Sequence, residues 1–157
     1  PDCTEYSKLQ DSWLGRKKKG EIFTREIMEN NMIKSDKLIL KTLKIINYFN
    51  PSLWFIENPQ TGLLKDQRFM RNLPYVDADY CSYGLPYRKR TRFWTNVQAK
   101  TKLCAGPGKC PFIKPGTTKH IHNIGNGQAQ YNFEGRQFLT REKYKIPDKL
   151  LKLFISA

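Results

Sequence analysis

No apolar run in this 157-residue sequence approaches the about 20 residues that a membrane-spanning helix needs, and no charged-then-apolar leader opens it. Both absences predict a soluble, intracellular, cytoplasmic chain with no membrane partner. Acidic residues are scarce: 14 Asp and Glu stand against 28 Lys and Arg, a net charge of +14. That imbalance is the electrostatic footprint of a polyanion, most simply nucleic acid. A solvated basic surface or a membrane-facing patch would carry the same charge. However, no amphipathic basic helix with an aromatic face accompanies it. Cysteine is sparse too. Cys3, Cys81, Cys104 and Cys110 are too few for a disulfide scaffold of this length, so reduced thiols are expected. Internal repeats and low-complexity tracts are absent.

What is present suits one globular domain, with 39% apolar and 13% aromatic residues. A domain of this size buries about 70% of its unfolded surface. The segment up to Lys34 is poorly periodic and suggests a loop leading into a short helix around 21–31. A clearer helix follows: Ser35 can cap it, Asp36 suits its positive end, and Leu40, Leu43 and Ile46 form a stripe that stops at Asn50–Pro51. Leu53–Ile56 is a continuous apolar run that reads as a central strand of an α/β sheet, buried on both faces. A second helix is expected from about Thr61 to Asn72. Strands are expected over Val76–Tyr83 and Thr91–Asn96, joined by a turn at Gly84 and Pro86. Residues 98–135, rich in Gly, Pro and His around 104–130, read as an irregular insertion. Pro147 then opens a C-terminal helical segment within 136–157 that returns to the core through Leu150, Leu151, Leu153 and Phe154.

Three short segments carry chemistry: Pro1-Asp2-Cys3, Glu57-Asn58-Pro59 and Tyr87-Arg88-Lys89-Arg90-Thr91-Arg92. Carbon 5 of cytosine is a poor nucleophile. A thiolate adding at carbon 6, with a proton or hydrogen bond given at ring nitrogen 3, makes it enamine-like and reactive. Cysteine suits the attack because it is intrinsically nucleophilic and partly ionised near neutral pH. A carboxyl group in a dry pocket can serve nitrogen 3. Arginines present planar donors to a base carbonyl, a phosphate or a carboxylate.

On these residues the chain resembles the DNA cytosine-5 methyltransferases, particularly the short forms of phages and other viruses. Pro1-Asp2-Cys3-Thr4-Glu5-Tyr6-Ser7 is similar to the family's Pro-Cys motif, and Phe55-Ile56-Glu57-Asn58-Pro59 to its Glu-Asn motif. Tyr83 to Arg92 is similar to the Gln-x-Arg-x-Arg motif with its Gly-x-Pro lead, Arg88 standing at the glutamine position. Residues 1–97 carry the resemblance, as the catalytic part of a methyltransferase domain. It implies Cys3 as nucleophile, Glu57 at ring nitrogen 3, and Asn58 bracing the loop that holds Cys3. Arg90 and Arg92 would hold the base and the motif geometry. Arg16, Lys17, Lys18 and Lys19 fall where the family has a loop that closes on double-stranded DNA, and Arg88 and Lys89 would add to the DNA surface.

The implied fold is a partial Rossmann-like α/β methyltransferase with an irregular DNA-recognition insertion at 98–135. The implied cofactor is S-adenosylmethionine, and the implied location for a virus is the host cytoplasm. The family's Gly-rich cofactor loop belongs upstream of the cysteine, and Gly106-Pro107-Gly108-Lys109 and Gly125-Asn126-Gly127 are no substitutes. The resemblance therefore implies a fragment whose cofactor site is completed by an upstream segment or partner chain.

Blander assignments fit the same residues: Glu57 as a helix cap, and the arginines as a strand face bound to phosphate. A non-catalytic nucleic-acid-binding module, zinc-stabilised or not, is the alternative function. Cys104, Cys110, His120 and His122 are candidate zinc ligands, since thiolate and imidazole are what zinc prefers. Their spacing departs from a standard finger, and loop residues touching DNA would look the same. Tyr131, Phe133 and Phe138 would anchor the insertion or stack on bases.

Overall fold

The structure is a computed structural model that describes residues 3–18, 20–122, 142 and 144–157, with only the backbone of Cys3, Thr4, Leu9 and Lys18. Two 3-10 segments, Cys3–Tyr6 and Lys8–Trp13, lead into a small hairpin of β1 (Lys17–Lys18) and β2 (Glu21–Ile22). The helix α1 then runs unbroken over Arg25–Phe49. Thr24, not Ser35, caps it, its Oγ1 accepting the Ile27 N–H at 3.2 Å. Ser35 fails as a start because no Gly or Pro interrupts residues 25–49, so a cap-competent side chain inside the run is simply absorbed. The end lies where the sequence put it. Asn50 adopts the left-handed conformation (φ 41°), its N–H reaches the Ile46 carbonyl, and Pro51 follows.

Three antiparallel strands make the sheet: β3 (Phe55–Pro59), β4 (Tyr75–Asp79) and β5 (Arg90–Thr95), in the order β3-β5-β4. Among the described residues β5 is therefore central, and β3, expected there from its apolar run, is an edge strand. Phe55 at its start is partly exposed for that reason. The expected strand through Tyr83 ends at Asp79. Tyr80–Tyr83 coils instead into a 3-10 turn closed by Gly84, whose φ of 98° favours a residue without Cβ. The expected helix over 61–72 is a single 3-10 turn, Leu63–Asp66, followed by further turns. Gly62 stands at its cap and offers no side-chain acceptor to start a longer helix.

Strand alternation divides the core in two. Ile56 and Trp94 face one side, where Tyr6, Leu64 and Met70 pack and α1 contributes Met32, Ile39, Leu43 and Ile46. Ala78 and Phe93 face the other, covered by helix α2 (Asp148–Ile155) through Leu150 and Phe154. The Phe154 ring lies 4.8 Å from Phe55 and 5.1 Å from Phe93. Helix and strand are thus layered on both faces of a small antiparallel sheet. No helix among the described residues is long and apolar enough to cross a membrane.

Residues 98–122 contain only isolated bridges, Ile113 with His120 and Tyr87 with His122. Their first part is nonetheless pinned along the outer edge of β4. Thr101 Oγ1 donates to the Asp77 carbonyl at 2.8 Å, the Asp79 N–H reaches the Lys102 carbonyl, and Ser82 Oγ donates to the Leu103 carbonyl. The rest of the expected insertion, with Tyr131, Phe133 and Phe138, lies outside the described residues.

Candidate active site

The carboxyl end of β3 and the turn that begins at Cys3 meet around Gly62. A Cβ built on Gly62 would lie 2.5 Å from Asn58 Oδ1, 3.1 Å from the Pro59 carbonyl and 3.2 Å from the Tyr6 carbonyl. Only a glycine lets these three groups close in together. Tyr6 anchors the turn from below: its ring is buried beside Ile56 and Leu64, and its hydroxyl donates to Asp36 Oδ1 of α1 at 2.8 Å. Asn58 is buried, and its Nδ2 finds no hydrogen-bond acceptor among the described residues. The Cys3 side chain itself lies outside what the structure describes, as do Pro1 and Asp2.

Successive strand residues face opposite ways, so Glu57 leaves the sheet on the side away from Asn58. There Lys89 Nζ approaches Glu57 Oε1 at 3.4 Å. Lys89 also sits over the Tyr80 ring, 5.1 Å from its centroid. Burial pushes the Tyr80 phenol above its ordinary value, and the Glu57 charge adds to that rise. Glu57 keeps 29% of its side chain exposed, so it sits in an ion-paired, half-open niche and not in a closed dry pocket.

The three arginines of the basic run are held by carboxylates. Register places Arg92 opposite Asp77 and Arg90 opposite Asp79. Arg92 forks onto Asp77 with both contacts at 2.8 Å, its guanidinium stacked 3.5 Å from the centroid of the Tyr75 ring. Arg90 binds Asp79 through Nη2 at 2.7 Å and Nε at 3.1 Å, while Arg88 Nε reaches the same carboxylate at 3.4 Å. The Cys104 N–H adds a fourth donor group at 2.8 Å. Asp79 has no exposed surface. Burial alone would raise its carboxyl. The Arg90 hydrogen bonds, the Cys104 N–H and the charges of Arg90 and Arg88 outweigh burial and hold it below the usual range.

The expected metal ligands divide. His120 Nε2 lies 3.5 Å from Cys104 Sγ and 3.6 Å from Cys110 Sγ. The fourth member of the group is Cys81, and all four ligand atoms fall within 4.8 Å of one another. His122 is not in it. His120 bridges to Ile113 and His122 to Tyr87, so the alternate pair is divided between two neighbours. Sequence spacing missed Cys81 because its turn comes beside Cys104 only through the 101–104 segment on β4. It missed Asp77 and Asp79 as well. Their alternate spacing, matched to Arg90 and Arg92, was a legible signal of cross-strand pairing.

Of the basic run expected on DNA, Arg16 and Lys17 are exposed on the hairpin. Gly20 (φ 89°) shapes its turn, Lys18 is described by backbone alone, and Lys19 lies outside the described residues.

The chain is 31% identical over 156 residues to the "Probable DNA (cytosine-5)-methyltransferase" of Frog virus 3 (isolate Goorha). The alignment covers 96% of this chain and 69% of that protein. No family model matches the sequence, and no solved structure matches it.

Proposed function

The chain belongs to the DNA (cytosine-5)-methyltransferase family, and from that membership we propose that it supplies the groups that methylate carbon 5 of cytosine in double-stranded DNA. The target base is flipped out of the duplex, since its ring is otherwise enclosed by stacking. Cys3 sulfur then adds to carbon 6 while Glu57 serves ring nitrogen 3. That makes carbon 5 nucleophilic towards the methyl group. Loss of the proton at carbon 5 then expels the sulfur and restores the ring. Asn58 braces the turn carrying Cys3. Arg90 and Arg92 hold the motif's shape through Asp79 and Asp77. Arg16, Lys17, Lys18 and Lys19 grip phosphates, and the half-exposed Arg88 adds to that surface.

One observation supports this assignment: the Asn58–Pro59 end of β3 and the Tyr6 carbonyl that closes the Cys3–Tyr6 turn, distant in sequence, converge on Gly62. Membership of the family implies S-adenosylmethionine as the methyl source. The described residues do not fit it. The Gly106–Lys109 turn closes on itself, its Gly106 carbonyl accepting the Lys109 and Cys110 N–H groups, and it opens no helix. The cofactor site is therefore assigned largely to an upstream segment or partner chain that completes a Rossmann-like domain. Two features support such a companion. Among the described residues β3 pairs on one edge only, and α1 leaves Ile33, Leu38 and Ile45 exposed along its length.

The test is incorporation of labelled methyl groups from S-adenosylmethionine into duplex DNA, with Cys3→Ser and Glu57→Gln in parallel. Cys3→Ser should abolish incorporation, and Glu57→Gln should lower it by roughly 10²–10⁴-fold. Incorporation that survives Cys3→Ser would refute the covalent role. Intact DNA binding with no incorporation, even when the proposed upstream segment or partner chain is supplied, would refute methyl transfer by these residues.

A further inference from the structure

Cys81 in the Tyr80–Tyr83 turn and Cys104, Cys110 and His120 in the 101–122 segment come from two parts of the chain, yet their ligand atoms converge within 4.8 Å of one another. Cys81 and Cys110 are buried, and Cys104 and His120 partly so. Lone buried cysteines are ordinary small hydrophobes and need no ligand. The convergence on one ring nitrogen is what calls for another explanation. His120 Nε2 can make one good in-plane hydrogen bond, but two sulfurs approach it at 3.5 and 3.6 Å. A tetrahedral zinc with Zn–S near 2.3 Å and Zn–N near 2.0–2.1 Å requires sulfur–nitrogen edges of about 3.5–3.6 Å.

We propose that these four residues form a structural zinc site of the three-cysteine, one-histidine type. All four corners are protein ligands, which leaves no open position and marks the site as structural, not catalytic. Binding converts three thiols to thiolates with release of their protons, so the filled site carries one net negative charge. The surroundings suit that charge. Arg88 and Arg90 both reach Asp79, and Asp79 Oδ2 in turn accepts the Cys104 N–H at 2.8 Å, fixing the backbone of one ligand.

The site would tie the 101–122 segment to the end of β4, beside the Asp79–Arg90 pair. Zinc would thereby order the start of the expected DNA-recognition segment and hold the motif arginines in place. It is independent of whether the chain methylates DNA.

The experiment is metal analysis of the 157-residue chain expressed with zinc, followed by cobalt(II) substitution. One zinc per chain is expected, with cobalt giving the intense visible bands of a tetrahedral site and the charge-transfer absorption of thiolate ligation. Cys81→Ser should lower zinc affinity by at least tenfold and weaken the thiolate band, whereas His122→Ala should leave both unchanged. Folded wild-type chain that holds no zinc and shows no tetrahedral cobalt bands would overturn the site. So would a disulfide between any two of the three cysteines in the purified chain. Zinc lost on His122→Ala but kept on Cys81→Ser would overturn the ligand set. The cobalt spectrum of the wild type decides the matter even where a cysteine variant fails to fold.

Discussion

Replacing Asp79 with Asn should cost about 3 kcal/mol of folding stability at neutral pH. Asp79 is fully buried and accepts from Arg90, Arg88 and the Cys104 N–H, the shortest of these bonds being 2.7 Å. Hydrogen bonds to a charged group are worth about 1.5–3 kcal/mol each, against about 0.5–1.5 for neutral pairs. Asn keeps the shape and one acceptor, so the Arg90 fork loses roughly 1–2 kcal/mol per bond. Its amide also turns a donor towards other donors. Breaking a buried pair outright costs about 3–5 kcal/mol. The lower end applies because Arg90 keeps 30% of its side chain exposed and can recover water.

The pH dependence has a definite sign. The folded carboxyl titrates below the unfolded value of about 3.9, so its contribution is complete above that value and is lost as pH falls through the folded one. Urea unfolding of both proteins, at constant metal content, should therefore show a gap near pH 7 that narrows below about pH 4. A gap under about 0.5 kcal/mol at neutral pH, no larger than a routine surface change, would refute the reasoning. A gap that stays constant into acid would refute it equally.

Gly62→Ala should destabilise by about 1–3 kcal/mol and depress any methyl transfer, because its Cβ would meet the buried Asn58 Oδ1 and two backbone carbonyls. Wild-type stability in that variant would mean that the Cys3–Tyr6 turn shifts freely. Phe154→Ala, emptying the space against Phe55 and Phe93, should cost about 3–5 kcal/mol in urea unfolding. A loss below about 1 kcal/mol would show α2 to be a loosely held appendage. If Arg16 and Lys17 bind phosphates, the double alanine variant should reduce the log–log salt slope of duplex DNA binding by roughly one for each phosphate no longer neutralised. An unchanged slope would remove the hairpin from the DNA surface.

The residues themselves determined what depends on local chemistry. The charge of +14 is a property of composition and survives any fold. The end of α1 at Asn50 was legible because a left-handed Asn followed by Pro stops a helix wherever it packs. The alternate arginines were legible because strand geometry places them on one side. Tertiary structure decided the rest, for reasons of distance along the chain. Leu53–Ile56 is apolar whether its strand is central or at an edge, and only pairing with β5 settles which it is among the described residues. Arg90 and Arg92 look like free DNA-binding cations until β4 sets Asp79 and Asp77 opposite them. Cys81 stands far in sequence from Cys104, Cys110 and His120, and no local spacing connects it to them. The segment pinned along β4 brings the four ligand atoms together. A ligand set is a statement about distances in space, and only the packed chain determines those.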